Sequence, residues 1–336
     1  MNTEHASPRG TLMRMLIGNQ LQQAIHVAAR LGIPDLLADG SRTADELARS
    51  AGANATALRR LLRSLASFGV FAEESSGAFA LTATSALLRR NVPGSLHSFA
   101  LWSGGDRYAA FGDLEYSVRT GRPAFERVTG TEFWTYLDRH PDAAAIFDEM
   151  MSSNTAPLAP LVAQYDFGDA DVVVDVGGGR GELIAAILRA RPELCGILVD
   201  HPRVMAEAKR VLEAAGVADR CGTVCGDLLA SVPSGARAYL LKSVLHGLDD
   251  DTATRVLGNC RRAIHENGKL LLVEFVLPSA NEPSPGWLMD LLMLIGCRGH
   301  ERTAEEFRAL LDAARFRLAD LSTTKFGYSF ISATPA

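Results

Sequence analysis

Five cysteines in 336 residues, an odd number with no C-x-x-C pair and no Cys/His ligand spacing, exclude a disulfide framework and a structural zinc site. Cys195, Cys221, Cys225, Cys260 and Cys297 read as reduced thiols of a cytoplasmic protein. Long hydrophobic runs are also missing. The most apolar stretches, 270–277 and 287–297, are too short to cross a bilayer and carry Glu274 and Asp290. The first ten residues mix His, Glu and Arg and lack the apolar centre of a secretory signal. Basic residues do not predominate: 34 Lys and Arg stand against 39 Asp and Glu, so a general attraction to nucleic acid has no support. With 47% hydrophobic and 22% charged residues the chain falls in the ordinary globular range, and its length predicts about two domains.

The N-terminal part reads as mainly helical. Leu12, Met15, Leu16, Leu21, Ile25 and Ala28 recur at helical spacing and predict one helix over 11–31, ended by Gly32 and Pro34. Thr43 and Glu46 form a capping-box signature, and Asn54 caps a run carrying Leu58, Leu61, Leu62, Leu65 and Phe68. Two short apolar runs, 70–73 and 78–81, flank the turn Glu74-Ser75-Ser76-Gly77 as a hairpin. Helix, helix, hairpin suggests a winged helix over residues 1–95. Arg59, Arg60 and Arg63 on the second helix admit a DNA-binding reading, but three arginines on an acidic chain supply few phosphate contacts. A dimer-forming role suits the module better. Residues 96–166 read as a helical linker rich in aromatics and methionine, the composition of a core or of an aromatic pocket wall.

From residue 167 to the end, β-branched runs alternate with helical stretches, which predicts an α/β domain with a mostly parallel, Rossmann-like sheet. Two closing runs, 318–323 and 328–333, add a hairpin and so one antiparallel strand at the sheet's end. The most specific motif is Val172-Val173-Val174-Asp175-Val176-Gly177-Gly178-Gly179-Arg180-Gly181, a buried strand entering a glycine-rich turn before a helix. Such a turn lets a ligand approach the backbone closely. A dinucleotide fingerprint is excluded by Glu182, which occupies the position of the last glycine. Asp175 suits a ligand bearing an ammonium or sulfonium, since a carboxylate above a helix start repels phosphate. Asp200 ends the next strand and can accept both hydroxyls of a ribose, and Gly226-Asp227-Leu228 follows the third, where an adenine could be held. One such aspartate is usually a turn residue; three in succession at strand ends point to a ligand.

These motifs, together with Leu241-Lys242-Ser243-Val244-Leu245-His246 and Gly299-His300-Glu301-Arg302-Thr303, resemble the S-adenosylmethionine-dependent small-molecule O-methyltransferases over nearly the whole length. The resemblance implies a winged-helix dimerisation domain before the catalytic one, hence a homodimer; the charge balance, the short apolar runs and the lack of clustered carboxylates at ligand spacing predict no nucleic-acid or membrane partner and no metal. It also implies a cofactor site: Gly177 and Gly179 at the methionine part, Asp200 at the ribose, Asp227 and Leu228 at the adenine, and Lys242 or Ser243 at the sulfonium, with Asp175 and Gly226 counted among the cofactor-binding residues from the motifs above. His246 matches the family's general base, and Glu274 and Glu301 match the acids that flank it and hold its other ring nitrogen.

A phenol with a pKa near 10 cannot give its proton outright to an imidazole near 6.5 without a cost of about 5 kcal/mol. The penalty falls when the proton leaves as the oxygen attacks the methyl group. Asp290, alone in the apolar helix that also holds Met293, reads as pointing at a ligand, and the resemblance adds Trp102, Met150 and Asn154 to the acceptor pocket. One departure is clear: Gly247-Leu248 stands where the family often has Asp-Trp. The resulting expectation is methyl transfer from S-adenosylmethionine to a hydroxyl of an aromatic small molecule of secondary metabolism. Two alternatives are a relative that uses the cofactor's charge for decarboxylation or hydroxylation, and a winged-helix DNA-binding regulator.

Overall fold

The computed structural model describes residues 7–336, which divide into two compact units, one running to Tyr108 and the other spanning Ala109–Ala336. In the first unit the expected single helix over 11–31 is two, Pro8–Leu16 and Gly18–Arg30, separated at Ile17. Glycine at residue 18 is the weakest helix former of the run, and the chain breaks there. The first of these helices buries no residue, whereas the second buries His26, Ala28 and Ala29.

Thr43 and Glu46 close a complete capping box on helix Ala44–Ala51, and Asn54 caps Ala55–Ser67, whose Leu58, Leu62 and Leu65 enter the core. Strands β1 (Arg42–Thr43), β2 (Phe71–Glu73) and β3 (Ala78–Leu81) form an antiparallel sheet in the order β1-β3-β2, completing the winged-helix arrangement. Two of the arginines that invited a DNA reading are already paired, Arg59 with Asp45 and Arg63 with Glu73, both at 2.8 Å.

The second unit is built on β4 (Val172–Val176), β5 (Cys195–Asp200), β6 (Cys221–Cys225), β7 (Ala238–Lys242), β8 (Lys269–Leu277), β10 (Phe316–Thr323) and β11 (Tyr328–Pro335). Their order is β10-β11-β8-β7-β4-β5-β6, and a two-residue strand, β9 (Arg302–Thr303), runs parallel to the end of β8. β11 opposes both neighbours; it lies one place in from the edge, with β10 outermost.

Alternate residues of the strands feed two cores. Val174, Val176, Tyr239 and Leu241 pack against helices Asp250–Ala263 and Ala304–Ala313, while Val173, Leu198, Leu240 and Val273 pack against Glu182–Ala190 and Pro202–Ala214. A sheet covered on both faces explains the unbroken apolar runs of its strands. The chain order reverses between β4 and β7, so their connections diverge and leave a crevice beyond the strand ends. Among the described residues no helix is long and apolar enough to cross a membrane.

Candidate active site

Three parallel strand ends meet at this crevice. Gly177 N–H donates to the Val199 carbonyl at 2.8 Å and Gly226 N–H to that of Asp200 at 3.2 Å, which ties the loops after β4, β5 and β6 together. Gly177, Gly179 and Gly181 all have positive φ, the conformation that favours glycine. A Cβ on Gly177 would lie 2.7 Å from Val244 Cγ2, and one on Gly178 2.4 Å from Asp175 Oδ2. A Cβ on Gly179 would meet nothing within 4 Å, so the loop presents bare backbone to open space there.

Asp200 accepts from the N–H groups of Gly179 at 2.7 Å and His201 at 2.6 Å. Burial raises its pKa, opposed by those two hydrogen bonds and by Arg203. Asp227 accepts from Leu229 N–H at 2.8 Å, and Leu228, whose carbonyl accepts from Asn259 Nδ2, lies 3.4 Å from the Gly177 Cβ position.

Asp175 does not reach that rim. It is fully buried under the loop, and desolvation, then the charges of Asp200 and Glu182, push its pKa up to about 7 against a backbone hydrogen bond from Ile184. The reason is that β4 runs on to Val176 in a sheet covered on both faces, so the Asp175 carboxylate ends beneath Gly178. Lys242 is likewise buried with an unpartnered ammonium 5.4 Å from the Tyr328 ring centroid. Desolvation brings its pKa down to about 8 against the pull of Glu274, Glu182 and Asp175. Ser243 takes a positive φ of 54° at the end of β7.

Beyond Ser243 a 3-10 turn, Leu245–Gly247, carries His246. Its Nδ1 lies 2.8 Å from Glu301 Oε1, and the histidine side chain keeps 16% of its surface exposed while the glutamate keeps none. Burial lowers the imidazole pKa, but the hydrogen bond the ring donates to Glu301 and the charges of Glu274 and Glu301 outweigh it, and the pKa is raised.

Glu274 does not hold the ring, contrary to the expectation that both acids would. Its Oε1 accepts from the backbone N–H groups of Val244 (3.0 Å) and Leu245 (2.9 Å), and desolvation raises its pKa. Glu274 belongs to the central strand β8, beside β7, so its carboxylate meets the backbone of the turn that leaves β7. Asp290 is also engaged within the chain: its Oδ1 accepts from Glu301 N–H at 2.9 Å, so it fixes the residue that binds His246. One atom from each of His246, Glu274 and Glu301 lies within 4.8 Å of the others, compact enough for a shared proton or a cation.

Helix Pro285–Gly296 leaves Leu291, Leu292, Met293 and Leu294 half-buried, and Cys297 Sγ lies 3.8 Å from Met293 Sδ. Met150 is buried and Asn154 half-buried on helix Pro141–Thr155, whereas Trp102 belongs to the first unit.

Sequence reasoning missed how helix Pro141–Thr155 is tied to the crevice. Glu149 pairs with Arg180 of the glycine loop at 2.7 Å, Ser152 donates to Glu182, and Asp148 pairs with Arg203 just past β5. Polar partners on one helix and around the starts of two others, distant in sequence, leave no local periodic trace. Also missed was Arg302, although the motif containing it was visible.

A family model described as an O-methyltransferase domain matches residues 111–317, and one described as an O-methyltransferase dimerisation domain matches residues 13–91. The chain is 43% identical over 325 residues to the phenazine O-methyltransferase of Lysobacter antibioticus, covering 96% of this chain and 95% of that relative. Among solved structures, a mitomycin 7-O-methyltransferase superposes with a TM-score of 0.92 at 37% identity, covering 98% of each chain. An O-methyltransferase of neocarzinostatin biosynthesis, solved with S-adenosyl-L-homocysteine and 1,4-dihydroxy-2-naphthoic acid, gives a TM-score of 0.83 at 34% identity, covering 94% of this chain and 96% of that one.

Proposed function

The chain belongs to the S-adenosylmethionine-dependent O-methyltransferases of aromatic secondary metabolites, and from that premise we propose that His246 is the general base for methylation of an aromatic hydroxyl. One observation carries this reading: Nδ1 of His246 is held by the buried Glu301 carboxylate, which leaves Nε2 as the nitrogen free to receive a proton. Glu301 orients the ring and stabilises the imidazolium that forms, and Glu274 fixes the turn through the two N–H groups it accepts. Asp290 sets Glu301 in turn.

The crevice fits the cofactor. Gly177 and Gly179 give close backbone access, Asp200 offers its remaining lone pairs to vicinal hydroxyls, and Gly226, Asp227 and Leu228 frame a planar base. Asp175 lies beneath the loop toward the amino acid end, where a bound cation would favour its charged form, with Lys242 and Ser243 below the sulfonium side. When bound, S-adenosylmethionine supplies a methyl group made electrophilic by its sulfonium. The half-buried apolar face of helix Pro285–Gly296, with Met293, forms one wall for a flat aromatic acceptor, and Met150 and Asn154 contribute from helix Pro141–Thr155. Trp102 takes no part in this assignment.

A homodimer formed through residues 13–91 completes the reading, as does a cytoplasmic location. The paired Arg59 and Arg63 remove support from the DNA-binding alternative.

The test has two steps. Calorimetry with S-adenosyl-L-homocysteine should give saturable heat, and a screen of phenolic, quinone and polyketide acceptors with labelled cofactor should yield a product in which a methyl group replaces one hydroxyl hydrogen. Turnover should survive dialysis against EDTA, because the His246 cluster works with a proton. No heat at millimolar ligand would sink the cofactor assignment, and activity restored only by added metal would sink the proton reading.

A further inference from the structure

We propose that Arg302 is a positioning residue that clamps the turn carrying His246, so that proton removal depends on a guanidinium that never meets the acceptor. This rests on the reading of His246 as the base. Arg302 is the largest fully buried side chain among the described residues. Burying a guanidinium is costly unless its N–H groups find partners, and here they do. Nη1 donates to the Leu245 carbonyl at 2.8 Å and Nη2 to the Leu248 carbonyl at 2.8 Å, the residue just before His246 and the second after it. Nε and Nη2 meet Asp250 Oδ1 at 2.9 and 2.8 Å, at the start of the helix that follows the turn.

The turn is therefore gripped on both sides: Glu274 accepts its leading N–H groups and Arg302 donates to its carbonyls. Gly299 seals the contact, since a Cβ there would lie 2.0 Å from the His246 carbonyl oxygen. Arg302 also follows Glu301 directly, so one short segment sets both the ring's partner and the backbone beneath the ring. Only a planar fork can serve carbonyls three residues apart and a carboxylate at once; a lysine would be a single point charge.

This grip also accounts for the tolerance of Gly247. A Cβ at that position would meet nothing within 4 Å, so the turn owes its shape to contacts at residues 245 and 248 and not to the side chain after the histidine.

The test compares Arg302→Lys and Asp250→Ala with wild type, using S-adenosyl-L-homocysteine as binding probe and the best hydroxyl acceptor of the screen above. Asp250 has a mostly exposed carboxylate, so its variant leaves the packing around the buried arginine unchanged, and a thermal melt of each variant shows whether it is folded. The expected result is faster amide exchange confined to residues 244–249, homocysteine-nucleoside affinity within about threefold of wild type, and kcat lowered roughly 10–100-fold by Arg302→Lys, as for a small misplacement of a reacting group. Asp250→Ala should move exchange and kcat the same way by less. Wild-type exchange and kcat in Asp250→Ala and Arg302→Lys would overturn the clamp, as would a fall in nucleoside affinity parallel to kcat. If His246→Ala itself leaves kcat unchanged, the base assignment fails instead, and the two failures are distinct.

Discussion

In the reading proposed above, the rim of β4, β5 and β6 meets its ligand mostly with backbone: the bare Gly179, the loop that Asp200 orders by accepting its N–H groups, and the turn after Gly226. Around His246, beyond β7 and β8, it offers side chains brought from separate segments, with Glu274 and Glu301 both fully buried. The first region is assembled from consecutive strand ends and needs little more than a parallel sheet and glycines with positive φ. The second needs charges held in a low dielectric, where a carboxylate beside an imidazole has far more leverage than in water. On the proposed reading affinity and proton transfer are separable, and substitutions should divide the same way.

The sharpest test of that division is His246→Ala. It should lower kcat by about 10²–10⁴-fold with an aromatic hydroxyl acceptor, the usual worth of a positioned general base, while nucleoside affinity stays close to wild type. An aromatic amine acceptor should lose much less, because a neutral amine attacks through its lone pair before any proton must leave. Equal losses for both acceptors in steady-state assays would mean that His246 shapes the pocket and moves no proton.

The converse test is Gly178→Ala on the backbone side. The new methyl would sit 2.4 Å from Asp175 Oδ2 and 2.5 Å from Leu198 Cδ1, so the loop must shift. Overpacking of this kind costs about 1–3 kcal/mol, which predicts roughly 5–150-fold weaker binding of S-adenosyl-L-homocysteine by calorimetry. At saturating cofactor kcat should recover most of its value. A variant that binds normally but turns over slowly would erase the distinction between the two regions.

The same contrast explains what the sequence disclosed. Strand β4, its glycine turn, Asp200 and Asp227 were legible because each is a local pattern, a β-branched run followed by a residue type that strand ends and tight turns demand. Thr43 with Glu46 was legible for the same reason. The break at Ile17 was not, since the apolar period continues across it. Glu274 and Asp290 were recognised as exceptional, being lone carboxylates in apolar runs, yet their partners were not. Which backbone N–H meets Glu274 depends on how the turn after β7 packs on β8, thirty residues away in sequence. The pairing of Glu149 with Arg180 is likewise a tertiary fact.

The gentlest probe is Glu301→Gln, which keeps an acceptor for Nδ1 but removes the charge. Two opposed influences set the imidazole pKa: burial lowers it, while Glu301 through its hydrogen bond, and Glu274 and Glu301 through their charges, raise it further than burial lowers it. Removing one of those charges tips the balance toward burial, so the pKa must fall. A base works in its unprotonated form, and the rising limb of kcat against pH therefore moves to lower pH in the variant. The plateau should drop about tenfold, the difference between a charged and a neutral hydrogen bond to the imidazolium as it forms. Single-turnover rates across the neutral range separate this from product release. A limb that stays in place while the plateau drops would show that Glu301 orients the ring without setting its basicity.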